Sequence, residues 1–226
     1  MLSDQDLKKL YGKQYVDSFE QKQSKYRLER LIKQMDLKGT YKVADIACGN
    51  GMMMPLVADQ VGQYVGVDFS EEFIKAAQRK RDSLSIANAQ FELSDIVDFC
   101  SANKSVFDVV FAMDFAEHVY DKDWARILCA IKECLKPNGK LYLHTPNGDF
   151  FLEKMKANNF IVKQFPEHIA VRSQEQNRAI LEKCGFRVNT MKLIPHYNIL
   201  RVLHPLSFIP GIGKWFKARI FIEATA

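Results

Sequence analysis

From residue 41 onward, short apolar runs alternate with stretches whose apolar residues recur every three or four positions. Runs at about 42–47, 63–67, 89–93, 107–113 and 139–145, then 186–194 and 218–224, have the length and composition of strands. The stretches between them read as helices. Ser70 is an N-cap, followed by Glu71 and Glu72 where the helix dipole favours anions, with Phe73, Ile74 and Ala77 on one face. After Asp123, the residues Trp124, Ile127, Leu128, Ile131 and Leu135 form an apolar stripe, and Pro137-Asn138-Gly139 turns the chain into the next strand. Ser173 to Gln176 reads as a capping box for a last helix closing at Cys184-Gly185.

Alternating units of this size predict an α/β fold, a Rossmann-like, mostly parallel seven-stranded sheet with helices on both faces. Residues 1–40 are polar and helix-prone, with Tyr11, Tyr15, Phe19 and then Leu28, Leu31, Ile32 and Met35 at helical spacing ending near Lys38-Gly39. They read as an N-terminal helical cap on a single domain spanning 41–226. Between the last two strands, 196–216 form an apolar, basic insertion.

A chain of 226 residues with 47% hydrophobic and 26% charged positions buries enough surface to need no disulfide or structural metal. The five cysteines are scattered, with no CxxC pair, and imply a reducing compartment. The N-terminus lacks a signal-peptide core and no run of eighteen apolar residues occurs, so a cytoplasmic protein is expected. The net charge of +5 is uneven. From Lys183 to Ile222 there is no acidic residue and seven basic ones, leaving the rest of the chain at −2. General nucleic-acid binding is therefore disfavoured.

In an open parallel sheet the ligand crevice lies at the carboxyl ends of the strands. The first such turn reads Asp45-Ile46-Ala47-Cys48-Gly49-Asn50-Gly51, and Asp68 closes the second strand seventeen residues past Gly51. Two glycines allow a close backbone approach, and a carboxylate there can accept both ribose hydroxyls of a nucleoside. A dinucleotide site wants Gly or Ala three residues after Gly51, where Met54 stands. The loop thus suits a nucleoside without a pyrophosphate; a plain βα turn is the competing reading of the glycines alone.

With Gly66-Val67-Asp68-Phe69-Ser70, Ser94-Asp95-Ile96, Phe107-Asp108-Val109-Val110 and Leu135-Lys136-Pro137-Asn138-Gly139 added in order, the chain resembles the class I S-adenosylmethionine-dependent methyltransferases. The resemblance implies that Asp45, Gly49 and Gly51 hold the methionine portion of the cofactor, Asp68 the ribose and Asp95 the adenine amino group. Phe69 and Ile96 would flank the adenine, with Ala47 and Met113 also lining the cofactor site. Ala47 departs from the family, which has a glycine there. The family fold adds an antiparallel last strand, matching Arg219 to Ile222.

On the acceptor side, Asp114, Glu117 and His118 share a face if the chain turns helically. Spacing alone leaves three readings open: a divalent-metal half-site, a base with an orienting acid, or capping and packing residues. Glu117-His118-Val119, His144-Thr145-Pro146-Asn147 and His196-Tyr197-Asn198 look like the ubiquinone-biosynthesis O-methyltransferases. Asp114-x-x-Glu117-His118 is also similar to metal-dependent terminal 2′-O-methyltransferases of small RNAs, which implies Mg²⁺ or another divalent cation on Asp114, Glu117, His118 and His168. Without metal, His118 or His144 is the expected base, although His144 also reads as a core residue.

Residues 199–217 combine Trp215, Phe208 and other large apolar side chains with cationic charge only. They read either as a peripheral contact with the inner membrane surface or as a lid packed over the acceptor pocket. The leading expectation is O-methylation of a small hydrophobic, quinone-like or lipid-linked acceptor. A sugar or terminal RNA ribose hydroxyl is the alternative acceptor, and a catalytically silent cofactor-binding partner protein the alternative of another class.

Overall fold

The computed structural model describes residues 25–157, 169–195 and 205–226. Its strands are β1 (Lys42–Ile46), β2 (Gln63–Asp68), β3 (Ala89–Leu93), β4 (Phe107–Met113), β5 (Leu135–Pro146), β6 (Arg187–Ile194) and β7 (Arg219–Thr225). They form one sheet in the order β3-β2-β1-β4-β5-β7-β6. β1 is parallel to β2 and β4, β2 to β3, and β4 to β5, whereas β7 runs antiparallel to both β5 and β6. The expected architecture, including the antiparallel last strand, is therefore the observed one.

The described helices are α1 (Lys25–Ile32), α2 (Met54–Val57), α3 (Glu71–Ser83), α4 (Ile96–Ala102), α5 (Asp121–Cys134), α6 (Phe151–Ala157) and α7 (Gln174–Lys183). Ser70 caps α3 by accepting the Phe73 N–H, and Ser173 with Gln176 closes the capping box of α7. α5 starts two residues earlier than its apolar stripe suggests, because Tyr120 already has extended N-cap geometry. β5 likewise starts at Leu135 rather than near Gly139. The Pro137-Asn138-Gly139 turn, with Asn138 at φ +64°, lies within it as an irregularity opposite Phe107 to Val109. α1 ends at Ile32, short of the expected Lys38-Gly39, and single turns carry the chain on through Met35.

Because strands are buried on both faces, alternate residues feed two cores. On one face Ala44, Ile46, Val110, Ala112, Leu141, Leu143, Ile220 and Ile222 pack under α4, α5 and α7, with Phe99, Trp124, Leu128, Ile131 and Leu181 fully or almost fully buried. On the other face Val43, Tyr64, Val109, Phe111, Tyr142 and Phe221 meet α1 and α2 through Leu28, Leu31, Ile32, Met54 and Val57. The rings of Tyr142 and Phe221 stack there at 5.9 Å. α1 is thus part of the core, and Tyr11, Tyr15 and Phe19 lie outside the described residues.

Leu31 is fully buried in that second core. Leu31→Ala is expected to destabilise the protein by about 2–5 kcal/mol, because the helix cannot close the cavity without giving up its other contacts. Urea unfolding of the two proteins measures this directly.

Candidate active site

The turn after β1 crosses under the end of β2. Ala47, Gly49 and Gly51 all have positive φ, at +50°, +53° and +69°. The Cys48 N–H donates to the Val67 carbonyl at 3.0 Å, and the Gly51 N–H donates to the Cys48 carbonyl at 3.0 Å. A Cβ on Gly51 would sit 2.9 Å from the Phe91 ring, so the loop is closely backed by β3 as well as left-handed. Ala47 adopts without a glycine's freedom the conformation a glycine would favour.

Asp68 locks this loop. One carboxylate oxygen accepts the Gly49 N–H at 3.0 Å and the other accepts the Ser70 N–H at 2.9 Å. Burial pushes the Asp68 carboxyl up, against those backbone donors. A carboxylate has about four acceptor sites, so beyond the Gly49, Phe69 and Ser70 N–H groups Asp68 retains capacity for a ribose hydroxyl. The Ser94 N–H donates to the Asp68 carbonyl at 3.1 Å, which brings the Asp68-Phe69 corner beside Asp95-Ile96. Asp95 caps α4 with one oxygen, accepting from the Val97 and Asp98 N–H groups. Phe69 is 43% exposed, and Ile96 and Met113 are half-buried.

Two features of this half went unread in the sequence. Asn50, 1% exposed, has neither end of its side-chain amide hydrogen-bonded. A buried amide without a partner in a glycine turn fits a polar ligand group that completes it. Asp45 pairs with the buried Tyr64 hydroxyl. Burial raises the Asp45 carboxyl to about 7, and the nearby Asp68 adds to this. The turn, the Asp68 carboxylate, the exposed Phe69 ring and the unpartnered Asn50 amide together fit S-adenosylmethionine.

At the ends of β4 and β5 the arrangement differs from the expected shared helical face. Asp114 has φ +52°, and only a single 3₁₀ turn, Ala116–His118, follows. The Asp114 carboxylate instead meets the Nδ1 of His144 at 2.8 Å, Arg27 of α1 at 2.6 Å and Arg219 of β7 at 3.2 Å. Burial alone would raise its carboxyl, but Arg27, His144 and Arg219 outweigh that and hold it well below the usual range. Glu117, also buried, accepts the Thr145 hydroxyl at 3.0 Å and lies 3.8 Å from Arg219. Burial, with the Asp114 charge, lifts Glu117 to about 7. Buried Arg172 clamps the turn by donating to the Ala116 and Val119 carbonyls at 2.6 Å and to Asp121 at 2.8 Å.

This geometry does not fit the expected metal half-site. Two guanidinium groups occupy the space around Asp114 and Glu117 where a cation would have to bind, and they repel it. Among the described residues no group of three or more His, Cys, Asp or Glu is placed to hold a metal ion. His118 is half-buried on the 3₁₀ turn and is not joined to Asp114 as its spacing suggested, whereas His168 and His196-Tyr197-Asn198 lie outside the described residues. His144 is fully buried and its Nε2 has no hydrogen-bond partner. Burial lowers its pKa against the pull of Asp114, so the ring is neutral at neutral pH. With Asp114 ionised, Nδ1 must carry the proton and Nε2 a bare lone pair. Nothing local to residue 27 signalled its part in this cluster; the lone Arg219 opening an apolar strand was the readable clue.

Relief of the left-handed alanine is expected to raise stability in Ala47→Gly by about 0.5–1 kcal/mol, the strain removed exceeding the added unfolded-state entropy. Thermal unfolding at fixed pH checks it. The Asp45 carboxyl, raised from 3.8 to about 7, contributes stability that is full below about pH 4 and is lost as pH rises through 7. In Asp45→Asn that decline is expected to vanish, so the difference in unfolding free energy between parent and variant should shift in the variant's favour from pH 4 to pH 8. A difference independent of pH would show that Asp45 is ionised throughout.

A family model described as a methyltransferase domain matches residues 37–185, from before β1 to the end of α7. A ubiquinone biosynthesis O-methyltransferase of Neisseria meningitidis serogroup C is 28% identical over 144 residues, 62% of this chain and 59% of that protein. One of Coxiella burnetii is 31% identical over 124 residues, 55% of this chain and 51% of that protein. The chain thus spans little more than half the length of these curated relatives. An S-adenosylmethionine-dependent methyltransferase from Archaeoglobus fulgidus superposes with a TM-score of 0.69 at 22% identity, over 89% of this chain and 92% of that one. Magnesium protoporphyrin IX methyltransferase from Synechocystis PCC 6803, with bound SAH, gives 0.63 at 19% identity over 100% and 88%. Those two likenesses concern the fold, while the match across the whole of the glycine turn, the Asp68 corner and the β4–β5 edge shows that this chain belongs to the family of methyltransferase domains.

Proposed function

We propose that this protein is an S-adenosylmethionine-dependent methyltransferase acting on an oxygen of a small hydrophobic, quinone-like or lipid-linked acceptor. The observation that carries the catalytic part is the pair of fully buried His144 and half-buried Asp114 at the carboxyl ends of β5 and β4, the strands that follow β1 and its glycine turn in the sheet. The cofactor, when bound, supplies an activated methyl group. Asp45, Gly49, Asn50, Gly51, Asp68 and Asp95 are the residues to hold it, with Phe69 and Ile96 beside its adenine.

Transfer to a hydroxyl needs alignment and removal of the acceptor's proton. In this reading Asp114 fixes the His144 tautomer, and Nε2 takes the proton from the acceptor hydroxyl. Arg27 and Arg219 keep Asp114 ionised and disfavour a positive charge on the ring before the acceptor arrives. The relatives named for ubiquinone biosynthesis support an aromatic hydroxyl as acceptor. The apolar side chains exposed beyond β6 support a greasy one.

Single-turnover transfer from labelled cofactor into a lipid extract and, separately, into RNA tests the acceptor class, with label in the lipid fraction expected. His144→Asn is expected to lower kcat by roughly 10²- to 10⁴-fold while cofactor affinity, measured by calorimetry, stays within a few-fold. In the parent, kcat should fall on the acid side as His144 protonates below its ordinary 6.5, and this limb should disappear in the variant. Loss of cofactor binding together with activity would assign His144 to the fold rather than to the chemistry.

A further inference from the structure

The connection from β6 to β7 carries charge of one sign in its sequence, and its described part, 205–217, leaves four large apolar side chains exposed. Residues 205–208 and Gly213–Phe216 form two 3₁₀ turns on either side of a tip at 209–212. The Gly213 N–H donates to the Ile209 carbonyl at 2.8 Å, and a Cβ on Gly213 would fall 2.5 Å from the Ser207 carbonyl oxygen, so the two turns are packed together into a knuckle. On it Phe208 is 72% exposed, Ile209 43%, Ile212 37% and Trp215 43%, with Lys214 exposed beside them. A lid packed inward would bury these residues. Four large apolar side chains within eight residues form a patch rather than the scattered exposure of an ordinary surface.

The knuckle is tied to the acceptor end of the cleft. Asn147, fully buried and three residues beyond His144, donates its side-chain amide to the Lys217 carbonyl at 2.8 Å and, more weakly, to the Lys214 carbonyl at 3.4 Å. Its own N–H donates to the Ala218 carbonyl at 2.9 Å. The Phe216 ring lies 5.5 Å from Phe151 of α6.

We propose that this knuckle docks the protein on an anionic lipid surface. Phe208, Ile209, Ile212 and Trp215 enter the headgroup region, Lys214 and Lys217 face lipid phosphates, and the acceptor end of the cleft is turned toward the bilayer. Charge complementarity selects this occupant. No Asp or Glu occurs from Lys183 to Ile222, although Glu175 of α7 lies near enough to Lys214 to feel its charge; lysine among exposed aromatic residues suits a membrane interface, whereas the cores of protein interfaces are depleted in lysine. No described helix is long and apolar enough to cross a membrane, so the contact is peripheral.

The full chain, mixed with vesicles of phosphatidylcholine alone or with phosphatidylglycerol, provides the test. Of the two tryptophans Trp124 is fully buried, so a change in emission reports Trp215. A blue shift and co-flotation with the anionic vesicles only, reversed by salt, are expected. Phe208→Ser with Trp215→Ser, and separately Lys214→Glu with Lys217→Glu, should each lower the bound fraction roughly tenfold or more, with thermal unfolding and cofactor binding retained. Absence of binding by the parent, equal binding to both vesicles, or undiminished binding by folded variants overturns the proposal. Self-association abolished by the same variants, without vesicle binding, assigns the patch to a second copy instead. Methyl transfer is not read out here, so failure of the docking leaves the proposed chemistry standing.

Discussion

The half-buried charge of Asp114 is the constraint on which the β4–β5–β7 side of the cleft depends. An ionised carboxylate away from water is stable only if paired, and Asp114 is paired three times, with Arg27, His144 and Arg219. These partners come from α1, β5 and β7, while Asp114 itself follows β4 as a left-handed residue. One carboxylate thus joins the first described helix, two central strands and the last strand. Removing any partner leaves charge less well compensated where water has little access, so the position of α1 and the state of His144 are coupled.

The cleft divides at the switch between β1 and β4, where the strand order reverses. On the β1–β2 side the devices are backbone ones: left-handed turn residues, amides captured by Asp68 and a helix cap at Asp95. On the β4–β5–β7 side they are side-chain charges held by tertiary packing. A nucleoside is recognised by preformed backbone shape, whereas proton removal needs an imidazole whose charge state is set by its surroundings. His144 sits there neutral and buried, beside an ionised carboxylate that two guanidinium groups also hold.

Asn147 extends the same logic to the edge of the molecule. It follows His144 and Thr145 along β5 and satisfies the carbonyls of the segment entering β7. The exposed aromatic and cationic side chains beyond it are therefore held in fixed relation to the carboxyl end of β5. Arg172 performs the corresponding service for the 116–119 turn. In both cases one buried polar side chain donates to two carbonyls at the start and end of a single 3₁₀ turn, which is how a short irregular segment is kept in one conformation.

Periodicity was enough to place all seven strands to within a few residues, since a strand buried on both faces and a helix buried on one have different apolar spacing. The capping signals at Ser70 and Ser173 were legible for the same reason: a cap acts on residues two and three positions away. The glycine turn with Asp68 was readable because its geometry is local to two strand ends. Ala47 could be named as a departure, but its φ of +50° could not be read from composition. The pairing of Asp114 with His144 rather than with His118 lay beyond the sequence, because helical spacing proposes neighbours only if the chain is helical there. Arg27 and Arg219 lie 87 and 105 positions from Asp114, and their meeting is decided by strand order and by the docking of α1. Sequence alone thus determined the fold and the glycine-turn half of the cleft, where contacts are short in chain distance. Only the tertiary structure decided which charges share the acceptor half, because burial makes them choose partners across the sheet.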